Sequence, residues 1–316
     1  MKIQIVEFPF DQTQFPVSLY GNKPYHVGNT GLKMPRQIKN EVECLIQEFV
    51  AACGFGKKGV YLRLDLFINP NFEQVHLLEV NSRLVDGWGA AFSLAQAGGQ
   101  KIEEISTNAR HATFPSFWHL PFSNRVYRND FDFTLRELNH LGVSTTELIA
   151  LDSKSSNDWI YYYGWDRPEK NGLQIAPSFG YEIENKVHLA QFSRVWQGER
   201  VNIPLGYSVY NAAWDEIPRD QVIFKFCEKH GEDSEQARTS VLYPNQVGKG
   251  RFVKQCYARG TIVAQDLIAP LEVSDKICQL ILLTNSASVI AGYVLWAPHG
   301  TRIITDAYEH APLVWS

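Results

Sequence analysis

Carboxylate and amide side chains recur at regular positions in two neighbouring apolar segments. The first segment, residues 60–67, contains Asp65, and the second, residues 75–83, contains Glu79 and Asn81, with an Asn-Pro-Asn turn between them. Two apolar segments around such a turn predict a β-hairpin. Because strand residues two apart share a face, Glu79 and Asn81 should point the same way. Such oxygen ligands suit Mg²⁺ carrying phosphates, and an exposed hairpin with a hydrated polar face is the alternative.

Two lysines lie where they could meet phosphates. Lys186 stands at the start of a predicted helix over 187–195, and Lys225 lies near the end of a strand pattern over 220–226. A polar loop over 227–236 follows, and backbone amides of such a loop can close over a phosphate. A solvated surface lysine at a strand end is the alternative for each position. The loop residues taken as candidate phosphate contacts are His230 and Gly231.

An adenine and ribose site is predicted further along the chain. The apolar strand pattern over 261–268 turns polar at its end, where main-chain groups could contact adenine, and Glu272 follows at a distance suited to a ribose hydroxyl. An ordinary turn after the strand is the alternative for this polar pair. The candidate adenine contacts are Gln265, Asp266, Leu267 and Ile268.

Composition limits the classes of function. The 316 residues are 45% hydrophobic and 20% charged with a net charge of -4, which gives no reason to expect a nucleic-acid or membrane partner. The cysteines form no CxxC pair, and the start of the chain resembles a strand rather than a signal peptide. No apolar run is long enough to span a membrane. These features predict a cytoplasmic protein with reduced thiols.

The remaining pattern alternates between helices and strands. An amphipathic helix is predicted over 35–53, because apolar residues recur there at helical spacing. A glycine-rich turn near residue 87 should open a short helix that ends at 98–99. Further predictions are a helix over 132–142, strands over 146–151, 158–163, 238–243 and 252–255, and a hairpin of 280–284 with 289–295.

In their order along the chain, these segments resemble an ATP-grasp enzyme. Segments 185–204, 222–225 and 263–268 are similar to its nucleotide-binding half, and 64–67 with 77–83 to its metal-binding end. Here the metal hairpin comes first. This circularly permuted order resembles the ligase domain of glutathionylspermidine synthase and eukaryotic glutathione synthetase. The resemblance covers roughly two thirds of the chain.

The resemblance implies an ATP-dependent carboxylate–amine ligase that forms an amide through an acyl phosphate and releases ADP and phosphate. The lysines would hold phosphates, and Asp65, Glu79 and Asn81 would hold Mg²⁺. Arg83 or Arg302 would stabilise the transferring phosphoryl group, and a salt bridge is the alternative for Arg83. The partners would be small-molecule carboxylate and amine substrates. The oligomeric state is left open, a homodimer included.

The implied fold class is α+β: two subdomains clasp ATP, and a small α/β domain precedes them in the usual order. The expected domains are a metal-binding part over 1–100, a small substrate domain over 101–180, a lid over 181–260, and an adenine hinge with a return to the central sheet over 261–316. Residues 1–100 should pack beside the strand at 261–268 in one central sheet. Within the lid, the polar loop 227–236 should be the most mobile part.

Other function classes remain open from sequence. An ATP-grasp kinase would phosphorylate a hydroxyl and form no amide. A nucleotide-binding protein without catalysis would keep the lysines but tolerate a poor metal site. An unrelated α/β binding protein would share only an accidental resemblance. An assay of ADP release against pooled carboxylates and amines separates these classes.

Overall fold

A computed structural model gives the fold of the chain. It describes residues 2–11, 26–54, 59–151, 158–165, 174–177, 181–227, 232–237, 239–243, 250–301 and 308–316. The helices in this part of the chain are α1 (Arg36–Ala52), α2 (Trp88–Ala97), α3 (Ile102–His111), α4 (Arg128–His140), α5 (Tyr181–Glu184), α6 (Lys186–Phe192), α7 (Glu232–Ala237) and α8 (Gly250–Arg259). None of them is both long and apolar enough to cross a membrane.

The strands fall into three sheets. In chain order they are β1 (Gln4–Glu7), β2 (His26–Val27), β3 (Thr30–Met34), β4 (Tyr61–Ile68), β5 (Val75–Asn81), β6 (Phe117–His119), β7 (Thr146–Glu147), β8 (Trp159–Tyr162), β9 (Gln174–Ala176), β10 (Val201–Asn202), β11 (Gly206–Tyr207), β12 (Val222–Phe226), β13 (Val241–Leu242), β14 (Ile262–Asp266), β15 (Glu272–Val273), β16 (Lys276–Asn285), β17 (Val289–Pro298) and β18 (Glu309–Trp315).

The central sheet carries the main core. Its strands lie in the order β1-β3-β18-β17-β16-β4-β5-β10, with β2 and β15 at its sides. Both predicted hairpins are present in it, as β4 with β5 and as β16 with β17. Alternate residues of β4, such as Leu64 and Leu66, face one side and bury against the apolar stripe of α1. That stripe (Ile38, Val42, Leu45, Phe49) has the helical spacing seen in the sequence.

The opposite face of the central sheet packs against helices and a small sheet at one end and borders a cleft at the other end. At the Tyr61 end, α2 and α3 cover it together with a small parallel sheet of order β7-β6-β8-β9, and the aromatic residues Trp88 and Trp118 fill the space between them. At the Phe67 end, the same face opens toward a cleft. The small sheet falls within the expected 101–180 domain, but α2 from residues 88–97 packs in the same core. The domain limits stay a prediction.

A second antiparallel sheet forms the far wall of the cleft. Its order is β11-β14-β12-β13. Phe224 and Phe226 on its outer face bury against Val253 and Tyr257 of α8. We call this sheet with α8 the lid sheet. Because β14 pairs with β11 and β12, the prediction that the strand at 261–268 joins residues 1–100 in one central sheet is wrong.

Two local predictions within this region are also wrong. The predicted strand over 252–255 lies inside α8, where its apolar residues continue a helical stripe too short to recognise in four residues. The predicted polar loop is helical in its second half, as α7. There Asp233 accepts a 2.6 Å hydrogen bond from Arg259, which holds the pKa of that carboxyl below its usual range, and Ser234 is buried. Polar contacts and the packing of Ala237 therefore hold α7 against α8, and the predicted mobility of the loop stays a prediction.

Candidate functional site

The cleft between the central sheet and the lid sheet contains a cavity of about 320 Å³. The central sheet supplies its floor and the lid sheet its roof. Apolar side chains, including Phe67, Ile223 and Tyr243, line much of it. The sequence-predicted residues that line this cavity are Asp65, Glu79, Lys225, Asp266, Leu267, Ile268 and Glu272. Residues from segments about 200 positions apart in the chain therefore meet in one cavity.

The hairpin presents its carboxylates side by side. Asp65 on β4 stands directly opposite Glu79 on β5, and Asn81 Nδ2 donates to Asp65 Oδ1 at 3.5 Å. The register shifts next to this pair: Leu66 faces Leu77, so Leu78 is one extra residue in β5. Such a bulge changes the direction of the strand locally. Glu79 and Asn81 keep the shared face that the sequence predicts.

An arginine paired with two carboxylates, which the sequence analysis does not predict, extends this face. Arg63 Nε lies 3.1 Å from Asp65 Oδ1, and its Nη1 lies 2.9 Å from Asp86 Oδ1. Arg63 precedes Asp65 by two residues, so the same strand alternation could have placed it beside the carboxylates. Asp86 has no such signal, because it lies in the turn after β5. Arg63 thus connects Asp65, which lines the cavity, with Asp86, which lies in the turn before α2.

Both predicted lysines reach β5 from outside the central sheet. Lys186 Nζ lies 3.3 Å from Glu79 Oε1, and Lys225 Nζ donates to the carbonyl of Leu78 at 2.8 Å. Both lysines are buried. Asn185 fixes the start of α6 by accepting a hydrogen bond from the amide of Val187, as N-cap residues do. The two ammonium groups therefore converge on consecutive residues of one strand.

The predicted adenine segment has part of its backbone already engaged. The amide of Asp266 donates to the carbonyl of Leu205, and that of Leu267 donates to Gln221. A main-chain contact with adenine would therefore use carbonyl groups or the amide of Ile268. Burial raises the pKa of Asp266, while a hydrogen bond with Tyr207 acts in the opposite direction. Gln265 is buried in the lid sheet.

The other predicted residues differ in their surroundings. Glu272, the predicted ribose contact, lies at the cavity edge with its Oε1 3.1 Å from His299 Nδ1. Arg83 forms a salt bridge, with its Nε 2.9 Å from Glu184 Oε2. This is the alternative considered for Arg83 from sequence. His230, Gly231 and Arg302 lie outside the described residues.

The glycine-rich turn after β5 is held by α4. The amide of Gly87 donates to Asp130 Oδ2, which also accepts from the hydroxyl of Tyr163, and the amide of Gly89 donates to Thr134. Gly87 has a φ of 80°, and an added Cβ would come within 2.9 Å of the Tyr293 hydroxyl. The turn that carries Asp86 is thus fixed by sterics and by buried hydrogen bonds.

We expect Gly87→Ala to destabilise the protein more than Gly99→Ala. Gly99 has a similar φ of 84° but nothing within 4 Å of an added Cβ. The left-handed backbone alone should cost Gly99→Ala about 1–2 kcal/mol of unfolding free energy. The contact with Tyr293 should cost Gly87→Ala about 1–3 kcal/mol more. Urea denaturation of both variants measures this difference, and equal losses would contradict the packing described for Gly87.

The metal-binding capacity of the cavity is limited to a few oxygen ligands. Within the described ranges, no group of three His, Cys, Asp or Glu side chains is placed to hold a metal ion. The hairpin offers two carboxylates and one amide. Mg²⁺ is commonly held by one or two carboxylates together with the phosphates of a substrate, so these residues fit a metal that arrives with a nucleotide.

Comparison with solved structures finds a protein of the same fold. A glutathione synthetase-like effector from Globodera pallida aligns over 93% of this chain and 91% of its own chain, with 9% identity and a TM-score of 0.53. A candidate gamma-glutamylcysteine synthetase from Methylobacillus flagellatus aligns over 86% and 85%, with 11% identity and a TM-score of 0.44, too low to support an argument. No family model and no curated protein matches the sequence. The predicted α+β fold class is confirmed.

Proposed function

We propose that this chain, which has a glutathione synthetase-like ATP-grasp fold, is an ATP-dependent carboxylate–amine ligase. One observation carries the proposal: two buried lysines from separate elements converge on the carboxylate-bearing strand at the edge of one cavity. Two ammonium groups beside two carboxylates suit a metal-bound polyphosphate, because the ammonium groups would contact phosphate oxygens and the carboxylates would contact the metal. The likeness to solved structures supports the fold, and the function rests on this geometry.

Each wall of the cavity would bind one part of ATP. The apolar residues of the lid sheet, with the half-exposed Leu267, would enclose adenine. Glu272 would accept a hydrogen bond from a ribose hydroxyl. Lys186 and Lys225 would neutralise phosphate oxygens, and Asp65, Glu79 and Asn81 would hold Mg²⁺. The bound metal would offset negative charge on the transferring phosphoryl group.

The reaction would proceed in two steps. A substrate carboxylate oxygen would attack the terminal phosphorus of ATP, and the bond to the bridging oxygen would break to release ADP. The nitrogen of an amine would then attack the carbonyl carbon of the acyl phosphate. Phosphate would leave, and the amine would lose a proton as the amide forms. The chain would contribute positioning and charge neutralisation.

Hydroxylamine trapping distinguishes this reaction from the kinase alternative. With ATP, Mg²⁺ and pooled carboxylates, a ligase should release ADP and convert hydroxylamine to a hydroxamate. A kinase would release ADP with hydroxyl substrates and give no hydroxamate. Protein that binds ATP but releases no ADP with any pool would contradict the ligase proposal.

A second candidate is a nucleotide-binding protein without catalysis. It is favoured by one observation, namely that Arg63 already pairs with Asp65 and so competes with a metal at that carboxylate. Such a protein would bind ATP with little dependence on Mg²⁺.

The five cysteines are free thiols, which supports a reducing, cytoplasmic setting for either function.

We expect ATP with Mg²⁺ to raise the melting temperature of the protein. A ligand that binds only the folded state stabilises it by about 2.7 kcal/mol at a concentration 100 times its Kd. ATP alone should give a smaller shift, because Mg²⁺ would bridge the phosphates to the hairpin. Differential scanning fluorimetry measures both shifts. An unchanged melting temperature at millimolar ATP, with and without Mg²⁺, would contradict nucleotide binding.

A further inference from the structure

The ion pair between Lys186 and Glu79 joins two groups that the proposed function assigns to different parts of the same ligand. Lys186 is assigned to phosphate and Glu79 to metal, yet in the structure their charged atoms lie 3.3 Å apart. The side chains are 8% and 19% exposed, so water contributes little to solvating either charge. Removing one member of such a pair leaves the other as a costly, uncompensated charge.

Glu79 therefore has two alternative cation partners. A divalent metal that approaches Glu79 has to compete with the ammonium of Lys186, whose positive charge also repels it. A polyphosphate changes this competition, because its oxygens can accept hydrogen bonds from the ammonium. Once Lys186 has moved to a phosphate, the carboxylate of Glu79 needs a new cation, and a metal bound to the same polyphosphate supplies it.

We propose that Lys186 makes the site selective for the metal–nucleotide complex over the free divalent metal. The inference rests on the proposed function and adds a role for Lys186 beyond phosphate binding. In this scheme Glu79 releases Lys186 and binds the metal only when the phosphates of a nucleoside triphosphate accept hydrogen bonds from the Lys186 ammonium. Metal and nucleotide consequently bind with positive coupling, each raising the affinity for the other by the same factor.

Lys225 provides the matched comparison. It is a buried lysine that lines the cavity, and one of its contacts is the carbonyl of Leu78, to which its ammonium donates at 2.8 Å. Both lysines contribute one positive charge near β5. The ion-pair partner of Lys186, Glu79, is the assigned metal ligand, so general electrostatic repulsion and direct competition for the carboxylate can be separated by comparing the two.

The test uses Mn²⁺ as the probe and the electron paramagnetic resonance signal of free Mn²⁺ as the readout, with no nucleotide present. Wild-type protein should bind Mn²⁺ weakly, and Lys186→Met should bind it at least about tenfold more tightly, within the usual range of coupling between sites. Lys225→Met should gain much less. The double variant Lys186→Met/Glu79→Gln should lose the gain. Lys186→Gln serves as a second variant if the methionine variant does not fold.

The wild-type protein gives an independent measurement. Its Mn²⁺ affinity should rise at least about tenfold when saturating ATP is present, after correction for Mn²⁺ bound to free ATP. Wild type that binds Mn²⁺ as tightly as Lys186→Met without nucleotide would overturn the inference, and so would equal gains in the two lysine variants. If wild type binds ATP and none of these differences is seen, the inference fails alone. If wild type binds no ATP at all, the proposed function fails.

Discussion

Glu79→Gln is expected to reduce amide-forming turnover by about 10³-fold or more in a protein that still folds, although it lowers stability because the buried Lys186 loses this partner charge. Charge stabilisation by a bound metal is worth several kcal/mol, and about 1.4 kcal/mol corresponds to a tenfold change in rate. Glutamine has nearly the same shape as glutamate but lacks the charge that would hold Mg²⁺. Steady-state ADP release, with circular dichroism to verify folding, measures the effect.

The matched control is Glu73→Gln in the same hairpin. Glu73 lies in the turn between β4 and β5 and pairs only with Lys2 among the ion pairs of the described residues, at 3.0 Å and largely exposed. This variant should retain wild-type turnover. Near-normal activity of Glu79→Gln would show that the metal role assigned to Glu79 is wrong, since no other change in the strand could compensate for the lost charge.

Lys225→Met is expected to weaken ATP binding by about 10–100-fold, because hydrogen bonds to charged groups contribute about 1.5–3 kcal/mol. Methionine keeps the apolar length of the side chain but removes the ammonium group. Isothermal titration calorimetry with ATP and Mg²⁺ measures the affinity. Lys254→Met, on the exposed side of α8, removes the same charge from the lid sheet outside the cleft and should leave the affinity unchanged.

If Lys225→Met and Lys254→Met lose affinity for ATP equally, the effect would reflect the net charge of the lid sheet rather than a contact with phosphate. Lys225→Met also leaves the carbonyl of Leu78 without this donor, so its stability should be compared in parallel. A variant that melts at the wild-type temperature and yet binds ATP weakly would identify Lys225 as a ligand contact. Normal ATP binding by Lys225→Met would leave it a structural lysine.

The sequence predicted the hairpin and its polar face because strand alternation is a local property. Asp65, Glu79 and Asn81 could be assigned to one face from their spacing alone. The same alternation extends to Arg63, which could have been included. Its partner Asp86 could not, because no periodic pattern connects a turn residue to a neighbouring strand.

Sheet membership was harder to predict than strand position. The segment 261–268 is a strand as expected, but its apolar residues fit either sheet, and its partners β11 and β12 lie more than 30 residues away. Similarly, four residues at 252–255 satisfy both strand and helix patterns, and only the neighbouring Cys256 and Tyr257 reveal the helical stripe. Pairing between distant segments depends on the whole chain, which local periodicity does not encode.

The extra residue in β5 also determines how this strand tolerates change. Lys225 contacts the backbone carbonyl of Leu78, so a different side chain at position 78 would leave that acceptor in place. Deleting the residue would instead restore the register of 75–77 and 79–81 against β4 and remove the carbonyl that meets the lid sheet. Position 78 should therefore accept other apolar amino acids, since Leu78 also lines the cavity, but no deletion. In a library of variants, its constraint would be visible more in strand length than in residue identity.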